Sequence, residues 1–356
     1  LIEKAKEINP NASKREMDML LSTGEQQSVA LMAMAIQKLG YPAISLNAYQ
    51  CDIYSTSTYS NARIKSISTE RINEELEKNN IVIVTGFQGM NRSGDITTLG
   101  RGGSDTSAVA LAATLHADLC EIYTDVDGVY TADPRVVKKA RKLSEISYDE
   151  MLELASLGAK VLHNRSVELA KKYNVNLVVR SSLTREEGTI VKEESTVEKM
   201  LVNGVAVDKD IARVALVGLK DQPGIAFSVF SLLAKNKISV DIILQSIGRD
   251  ETKDISFTVA TTDLDETIKV IEENKNRFKY EKLLHDEGVA KVSIVGAGMA
   301  TNAGVASNMF EALFDENINI RMISTSEIKI SVLVDEKDAN RAANAIHDKF
   351  RLDQAK

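Results

Sequence analysis

The second half of this chain is written twice, and that repeat restricts its fold more than any other feature. Ala212-Arg213-Val214-Ala215-Leu216-Val217-Gly218 returns as Ala290-Lys291-Val292-Ser293-Ile294-Val295-Gly296. Gly224-Ile225-Ala226 returns as Gly304-Val305-Ala306, each opening an amphipathic helix, and Asn236 to Val240 returns as Glu316 to Ile320. Alternating strands follow in both copies, at 255–259 and 328–334, and then a closing helix. Strand, helix, strand, strand, helix, with room for a last short strand, is a ferredoxin-like βαββαβ unit. The polar, acid-rich run from Thr184 to Val202 precedes the repeat and reads as a domain boundary. The expected division is therefore 1–195, 196–285 and 286–356.

The repeat also removes a false lead. Gly296-Ala297-Gly298-Met299-Ala300-Thr301 resembles a dinucleotide fingerprint, but it ends in Thr, and its counterpart from Gly218 to Gly224 breaks the pattern. No acidic residue ends a following strand at the required distance, and no G-x-x-x-x-G-K-[ST] sequence occurs, so neither an NAD site nor a P-loop is expected.

The first half alternates strands with helices, which predicts an α/β layer fold with a largely parallel sheet. Ser22-Thr23-Gly24-Glu25-Gln26 has capping-box spacing and reads as a helix start, with Gly40 and Pro42 ending that helix. Ile81 to Gly86 reads as a buried strand closed by a turn, Leu119 to Thr124 as a second strand, Tyr148 to Leu157 as a short helix and Leu177 to Arg180 as a further strand. Composition narrows the partners. A net charge of −7, with no basic block interleaved with aromatics, argues against nucleic acid and anionic membranes. The longest apolar stretch, Val29 to Ile36, is far short of the roughly 20 residues that span a bilayer. Two distant cysteines, Cys51 and Cys120, without C-x-x-C spacing, fit a reducing cytoplasm. The four histidines show no metal-ligand spacing, and no metal site is expected from the protein's own side chains.

Chemistry concentrates at Thr97-Thr98-Leu99-Gly100-Arg101-Gly102-Gly103-Ser104-Asp105, between the strand at 81–86 and a small-residue helix over 105–116. A Gly-rich turn into a helix aims free N–H groups and the positive end of the helix dipole at an anion. The guanidinium of Arg101 can hold a carboxylate or phosphate by two parallel hydrogen bonds. Ser104 or Asp105 can equally be an ordinary helix cap. The loop from Thr124 to Arg135 follows a strand end, where α/β folds bind ligands, but its Asp-Gly and Asp-Pro pairs also suit a plain hairpin. Lys160, just after Gly158, can reach a phosphate or simply be solvated.

Taken together, the loop at 97–105, Thr124-Asp125 through Asp133-Pro134-Arg135, Gly158-Ala159-Lys160-Val161-Leu162-His163 and the doubled C-terminal module resemble the aspartate kinase family. The resemblance implies a three-layer αβα amino-acid-kinase fold followed by two ACT modules. It implies transfer of a phosphoryl group from ATP to L-aspartate, giving 4-phospho-L-aspartate at the entry to lysine, threonine and methionine synthesis. Glu25 would contact the substrate ammonium, Arg101 a substrate carboxylate with Gly102, Gly103 and Ser104 nearby, and Asp105 would organise charge around the transferring phosphoryl. Thr124, Asp125, Tyr130 and Arg135 would bind the nucleotide, and Lys160 its phosphates. Mg²⁺ would arrive with ATP, held mainly by phosphates and water. The resemblance further implies that lysine or threonine binds the ACT modules at Asp221, Gly224, Ile225, Ala226, Gln245, Val305, Ala306, Asn319, Ile320 and Ser326, and that the chain forms a homo-oligomer through them. The family's opening Lys-x-Gly-Gly strand does not appear in this sequence, so this polypeptide is expected to lack useful turnover. A non-catalytic, amino-acid-binding regulatory subunit is the competing expectation, to be separated by whether ATP and aspartate bind or amino acids alone.

Overall fold

The computed structural model describes residues 1–157, 161–193, 201–247, 252–297, 299 and 302–354. The chain divides into two compact units: one comprises Leu1–Val129, Leu143–Ala155 and Lys160–Thr196, the other Tyr130–Lys142, Ser156–Ala159 and Val197–Lys356.

The first unit opens with helices α1 (Ile2–Ile8) and α2 (Lys14–Lys38), the latter capped by Ser13, whose hydroxyl accepts the Glu16 N–H. The helix start expected at Ser22-Thr23 is absent; α2 runs straight through it. The hydroxyls of Ser22 and Thr23 turn back to the carbonyls of Met19 and Leu20, at 2.8 and 2.7 Å, so both side chains serve the preceding turn instead of opening a new helix. Then follow β1 (Ala43–Leu46), β2 (Tyr54–Ser55), β3 (Ile64–Ser66), α3 (Glu70–Glu77), β4 (Ile81–Val84), β5 (Gln88–Met90), β6 (Ile96–Thr98) and α4 (Gly103–Leu115). The unit closes with β7 (Cys120–Thr124), β8 (Glu145–Ser147), α5 (Tyr148–Ser156), α6 (Asn164–Tyr173), β9 (Leu177–Ser181) and β10 (Thr189–Lys192).

Among the described residues β1 and β4 form a parallel pair, and β7-β9-β10-β8 form a mixed sheet whose outer pairs are parallel. A small sheet, β3-β2-β5-β6, leads into the loop of interest. Helices α2 and α3 pack on the β1–β4 pair, and α4 packs on β7 and α6, which gives the layered α/β architecture. The expectation of a buried strand at 81–86 is corrected. With hydrogen-bonded neighbours on one side only among the described residues, β4 leaves Ile81 43% exposed. Asp18 on α2 braces the small sheet. Fully buried, it accepts the N–H groups of Ser60 and Thr98, both at 2.8 Å, and both their hydroxyls, at 3.1 and 2.8 Å.

The second unit contains β11 (Gly204–Asp208), β12 (Ala212–Lys220), α7 (Ile225–Lys235), β13 (Ile243–Ile247), β14 (Thr252–Val259), α8 (Leu264–Glu273), α9 (Lys275–Phe278) and β15 (Lys282–Asp286). It continues with β16 (Val289–Val295), α10 (Val305–Asp315), β17 (Met322–Thr325), β18 (Lys329–Asp335) and α11 (Ala339–Lys349). Two antiparallel sheets result, β13-β14-β12-β15 and β11-β16-β18-β17. Each covers its own apolar core: Leu216, Val229, Phe257 and Ile271 in one, Val292, Met309, Val332 and Ile346 in the other.

The two modules are not consecutive. Strand β11, assigned from sequence to 196–285, pairs with β16 from Gly204↔Val295 to Asp208↔Lys291 and so completes the sheet of the second module. The first module is therefore inserted into the second. Lys291 joins them electrostatically: 4% exposed, its ammonium lies 2.5 Å from Asp241 of the inserted module and 3.4 Å from Asp208 on β11.

Candidate active site

The glycine-rich turn is shaped by its backbone before any side chain acts. Gly102 has φ +69° and forms the N-cap of α4, with no side-chain cap. The expected cap by Ser104 or Asp105 is thus replaced: both lie inside the first turn, and their side chains are released from capping. Thr106 N–H bonds Gly102 C=O and Gly103 N–H bonds Gly100 C=O, while the N–H groups of Ser104 and Asp105 have no partner among the described residues. Free amides at a helix N-terminus are the groups that attract a carboxylate or phosphate. Across the turn, Phe87 holds φ +67°, rare for an aromatic residue, and its N–H is fixed by the Ser107 hydroxyl at 3.1 Å.

Glu25 and Ser104 line one cavity of about 400 Å³, together with Gly86, Ser107 and an apolar wall that includes Val29, Val84 and Leu111. Burial pushes the Glu25 carboxyl above its ordinary pKa. The Asp105 carboxyl is also raised, chiefly by burial, with a hydrogen bond from the His163 main chain pulling the other way. Arg101 is exposed, and its guanidinium makes no hydrogen bond with the described residues.

Three residues that sequence reasoning missed hold this turn in place. Asp18 fixes Thr98 as described. Arg165, near the start of α6, donates to Leu99 C=O at 2.6 Å and Ala62 C=O at 2.9 Å. His163 caps α6 by accepting the Arg165 N–H, and its ring lies where a side chain on Gly102 would point. Position 163 falls inside the quoted Gly158–His163 motif, but nothing in the spacing shows that the motif packs on a loop some sixty residues earlier.

The other expected nucleotide residues are placed as follows. Thr124, at the end of β7, donates its hydroxyl to Asp125, and its carbonyl accepts from the Ser182 main chain and hydroxyl, at 2.8 and 3.2 Å. Among the described residues the stretch 124–135 is not a hairpin, and its strand pairing is an antiparallel bridge from Tyr130 to Lys142. Tyr130 and Arg135 belong to the second unit, where Arg135 pairs with Asp133 at 2.8 Å. Lys160 lies outside the described residues. Both cysteines are buried, with thiol pKa values pushed up to about 11, so neither is a thiolate nucleophile near neutral pH.

Of the expected effector residues, Gly224 and Gly304 cap α7 and α10 at φ +88° and +97°, placing Ile225, Ala226, Val305 and Ala306 in the first helical turns. Asp221 is ion-paired to Lys253 at 2.8 Å, Gln245 is exposed on β13, and Asn319 and Ile320 lead into β17. Ser326 closes the β17–β18 turn through its N–H to Lys329 C=O.

A layered α/β unit with this loop, joined to two βαββ-type modules, defines a small-molecule kinase of the amino acid kinase class carrying tandem ACT domains. The amino acid kinase family pattern matches residues 1–181, and the ACT domain pattern matches 214–274 and 292–350. The chain is 53% identical over 353 residues to the aspartokinase of Bacillus sp. (strain MGA3), covering 99% of this chain and 86% of that one. It is 52% identical over 353 residues to the aspartokinase of Geobacillus stearothermophilus, with the same coverage. Among solved structures, E. coli aspartokinase III in complex with aspartate and ADP superposes with a TM-score of 0.81 at 30% identity, covering 95% of this chain and 76% of that one. The T-state of that enzyme, with lysine and aspartate, gives a TM-score of 0.77 at 30% identity over 96% of this chain and 76% of that one. The chain belongs to the aspartokinase family, and its activity is that of an aspartate kinase.

Proposed function

We propose that the turn at 97–105 holds L-aspartate while ATP delivers its γ-phosphoryl to the substrate side-chain carboxylate, giving 4-phospho-L-aspartate and ADP. The reading rests on one observation: Glu25 and Ser104 face a common cavity beside a helix N-terminus with free amides. Glu25, in the cavity, takes the substrate ammonium; from the adjoining turn Arg101, which lies outside the cavity lining, takes a carboxylate, while Gly102, Gly103 and Ser104 let the substrate approach the backbone. Asp105 orients charge near the transferring group, and Lys160, Thr124, Asp125, Tyr130 and Arg135 serve the nucleotide. Such a set suits phosphoryl transfer, which needs positioning and charge neutralisation rather than a covalent intermediate. Mg²⁺ enters as part of the ATP substrate, bound mainly by phosphate oxygens and water.

We further propose a catalytic part over 1–195 followed by the two ACT modules. Lysine or threonine binds at the α7 and α10 turns, and the chain self-associates through the modules. That E. coli aspartokinase III forms a complex with lysine supports an amino-acid effector. A cytoplasmic setting accords with two buried free thiols, and among the described residues no helix is long and apolar enough to cross a membrane.

Arg101→Gln tests the core of the reading. Loss of two charge-assisted bonds, about 3 kcal/mol, should raise KM for aspartate by about 100-fold and leave KM for ATP nearly unchanged. An unaltered aspartate KM would remove Arg101 from the site. A pH profile tests Glu25. Its raised pKa delays formation of the carboxylate, so KM for aspartate should fall as pH climbs through the upper carboxylate range and then level off. Glu25→Gln should raise that KM and erase this limb.

A further inference from the structure

The segment carrying Tyr130 and Arg135 is built into the second unit. Ala132 and Val137 lie in one apolar core with Val205, Val292 and Ile346, and Val136 and Ala140 pack against it. The main chain is tied as firmly. Val205 N–H donates to Thr131 C=O at 2.7 Å, and Asn344 Nδ2 on α11 donates to Val136 C=O at 3.1 Å. Lys139 pairs with Asp348 at 3.0 Å.

One polar contact sits inside this apolar packing. Thr131 Oγ1 lies 2.9 Å from His347 Nε2, and both residues are fully buried. The same hydroxyl accepts the Arg141 N–H at 2.9 Å, while Thr131 N–H donates to Arg141 C=O, also at 2.9 Å. Thr131 therefore closes the two arms of the segment on each other, and His347 grips the closure. The other ring nitrogen, Nδ1, is buried without a partner among the described residues. The neighbouring inward positions of α11 are Ala339, Ala342, Ala343 and Ile346, all apolar. Against these apolar neighbours the histidine is polar, and the hydrogen bond its ring makes is the one to Thr131.

We propose that His347 is a positioning residue for the nucleotide: through Thr131 it fixes the conformation of segment 130–142 and hence where Tyr130 and Arg135 stand. It touches no substrate. The proposal rests on the reading of Tyr130 and Arg135 as nucleotide contacts.

Steady-state kinetics of the full chain, with ATP and aspartate varied separately, decide it; where turnover is too slow to follow, the dissociation constants of ADP and aspartate from calorimetric titration stand in for the two KM values. His347→Leu and Thr131→Val should each raise KM for ATP by about tenfold and leave KM for aspartate within about twofold, since the lost interaction bears on one substrate only. The double variant should be no worse than either single one, because both remove the same contact. His347→Gln, whose amide can still bond the Thr131 hydroxyl, should recover most of the ATP affinity. If His347→Leu fails to fold, the near-isosteric Thr131→Val carries the test, with calorimetric titration of ADP as its readout. An unchanged KM for ATP in His347→Leu or Thr131→Val, beside a raised one in Arg135→Ala, overturns the positioning role alone. Unchanged ATP affinity in both Arg135→Ala and Tyr130→Ala overturns the proposal at its root, by removing the nucleotide from this segment. Equal rises in both KM values with a lowered Tm, not rescued by Gln, would reduce His347 to a structural residue.

Discussion

Alanine at position 102 is expected to reduce kcat/KM for aspartate by at least about 100-fold while the chain retains its helical content. An ideal Cβ on Gly102 would stand 2.2 Å from His163 Cβ and 2.3 Å from its Cγ, well inside any real contact. His163 cannot swing away freely. Its Nδ1 accepts the Arg165 N–H at 3.3 Å, and its main chain bonds the Asp105 carboxylate. The left-handed backbone at φ +69° adds a penalty of its own for any residue with a side chain, about 1 kcal/mol. Overpacking of this kind costs about 1–3 kcal/mol more. The loop will move to relieve it, and misplacement of a reacting group by about 1 Å is enough to lose about 100-fold in rate. Kinetics paired with urea unfolding measure both terms. Wild-type kcat/KM in Gly102→Ala would show that the turn is not set by this contact.

Removal of the Asp18 carboxylate should be the most destabilising single change in the first unit. Four donors converge on it from Ser60 and Thr98. In Asp18→Ala the buried Thr98 N–H and the half-buried Ser60 N–H lose their acceptor, at a cost of about 3–5 kcal/mol. Asp18→Asn keeps one oxygen and should lose roughly half as much. The urea midpoint should fall with an unchanged m-value, and because Thr98 leads directly into the Gly-rich turn, KM for aspartate should rise in the Asn variant as well. A midpoint within error of wild type in Asp18→Ala would mean that these bonds are replaced by solvent.

Elements with a clear period were legible in the sequence: β7, β9, β12, β16, β18 and the helices opened by Gly224 and Gly304 all lie within a few residues of where the pattern puts them. The errors have local physical causes. Ser22 and Thr23 have capping chemistry but spend it on carbonyls one turn back. Ser104 and Asp105 are favoured caps, yet a left-handed glycine takes the N-cap position because the chain must bend sharply there. The candidate turn was visible as a motif, since Arg101, Ser104 and Asp105 fall within five residues, and Glu25 came with it only through the family resemblance. Arg165, His163 and Asp18 were not, because contacts made across 66, 61 and 80 residues leave no trace in spacing. Pairing of β11 with β16 was invisible for the same reason.

That pairing limits how the chain can be divided. A polypeptide beginning after Asp208 would strip β16 of its outer neighbour, leaving a long apolar strand edge, from Val289 to Val295, open to other chains. One ending before Val289 would strand β11 alone. The two repeats were written in tandem, but they can be separated from each other only by excising the inner one and rejoining the ends of the outer.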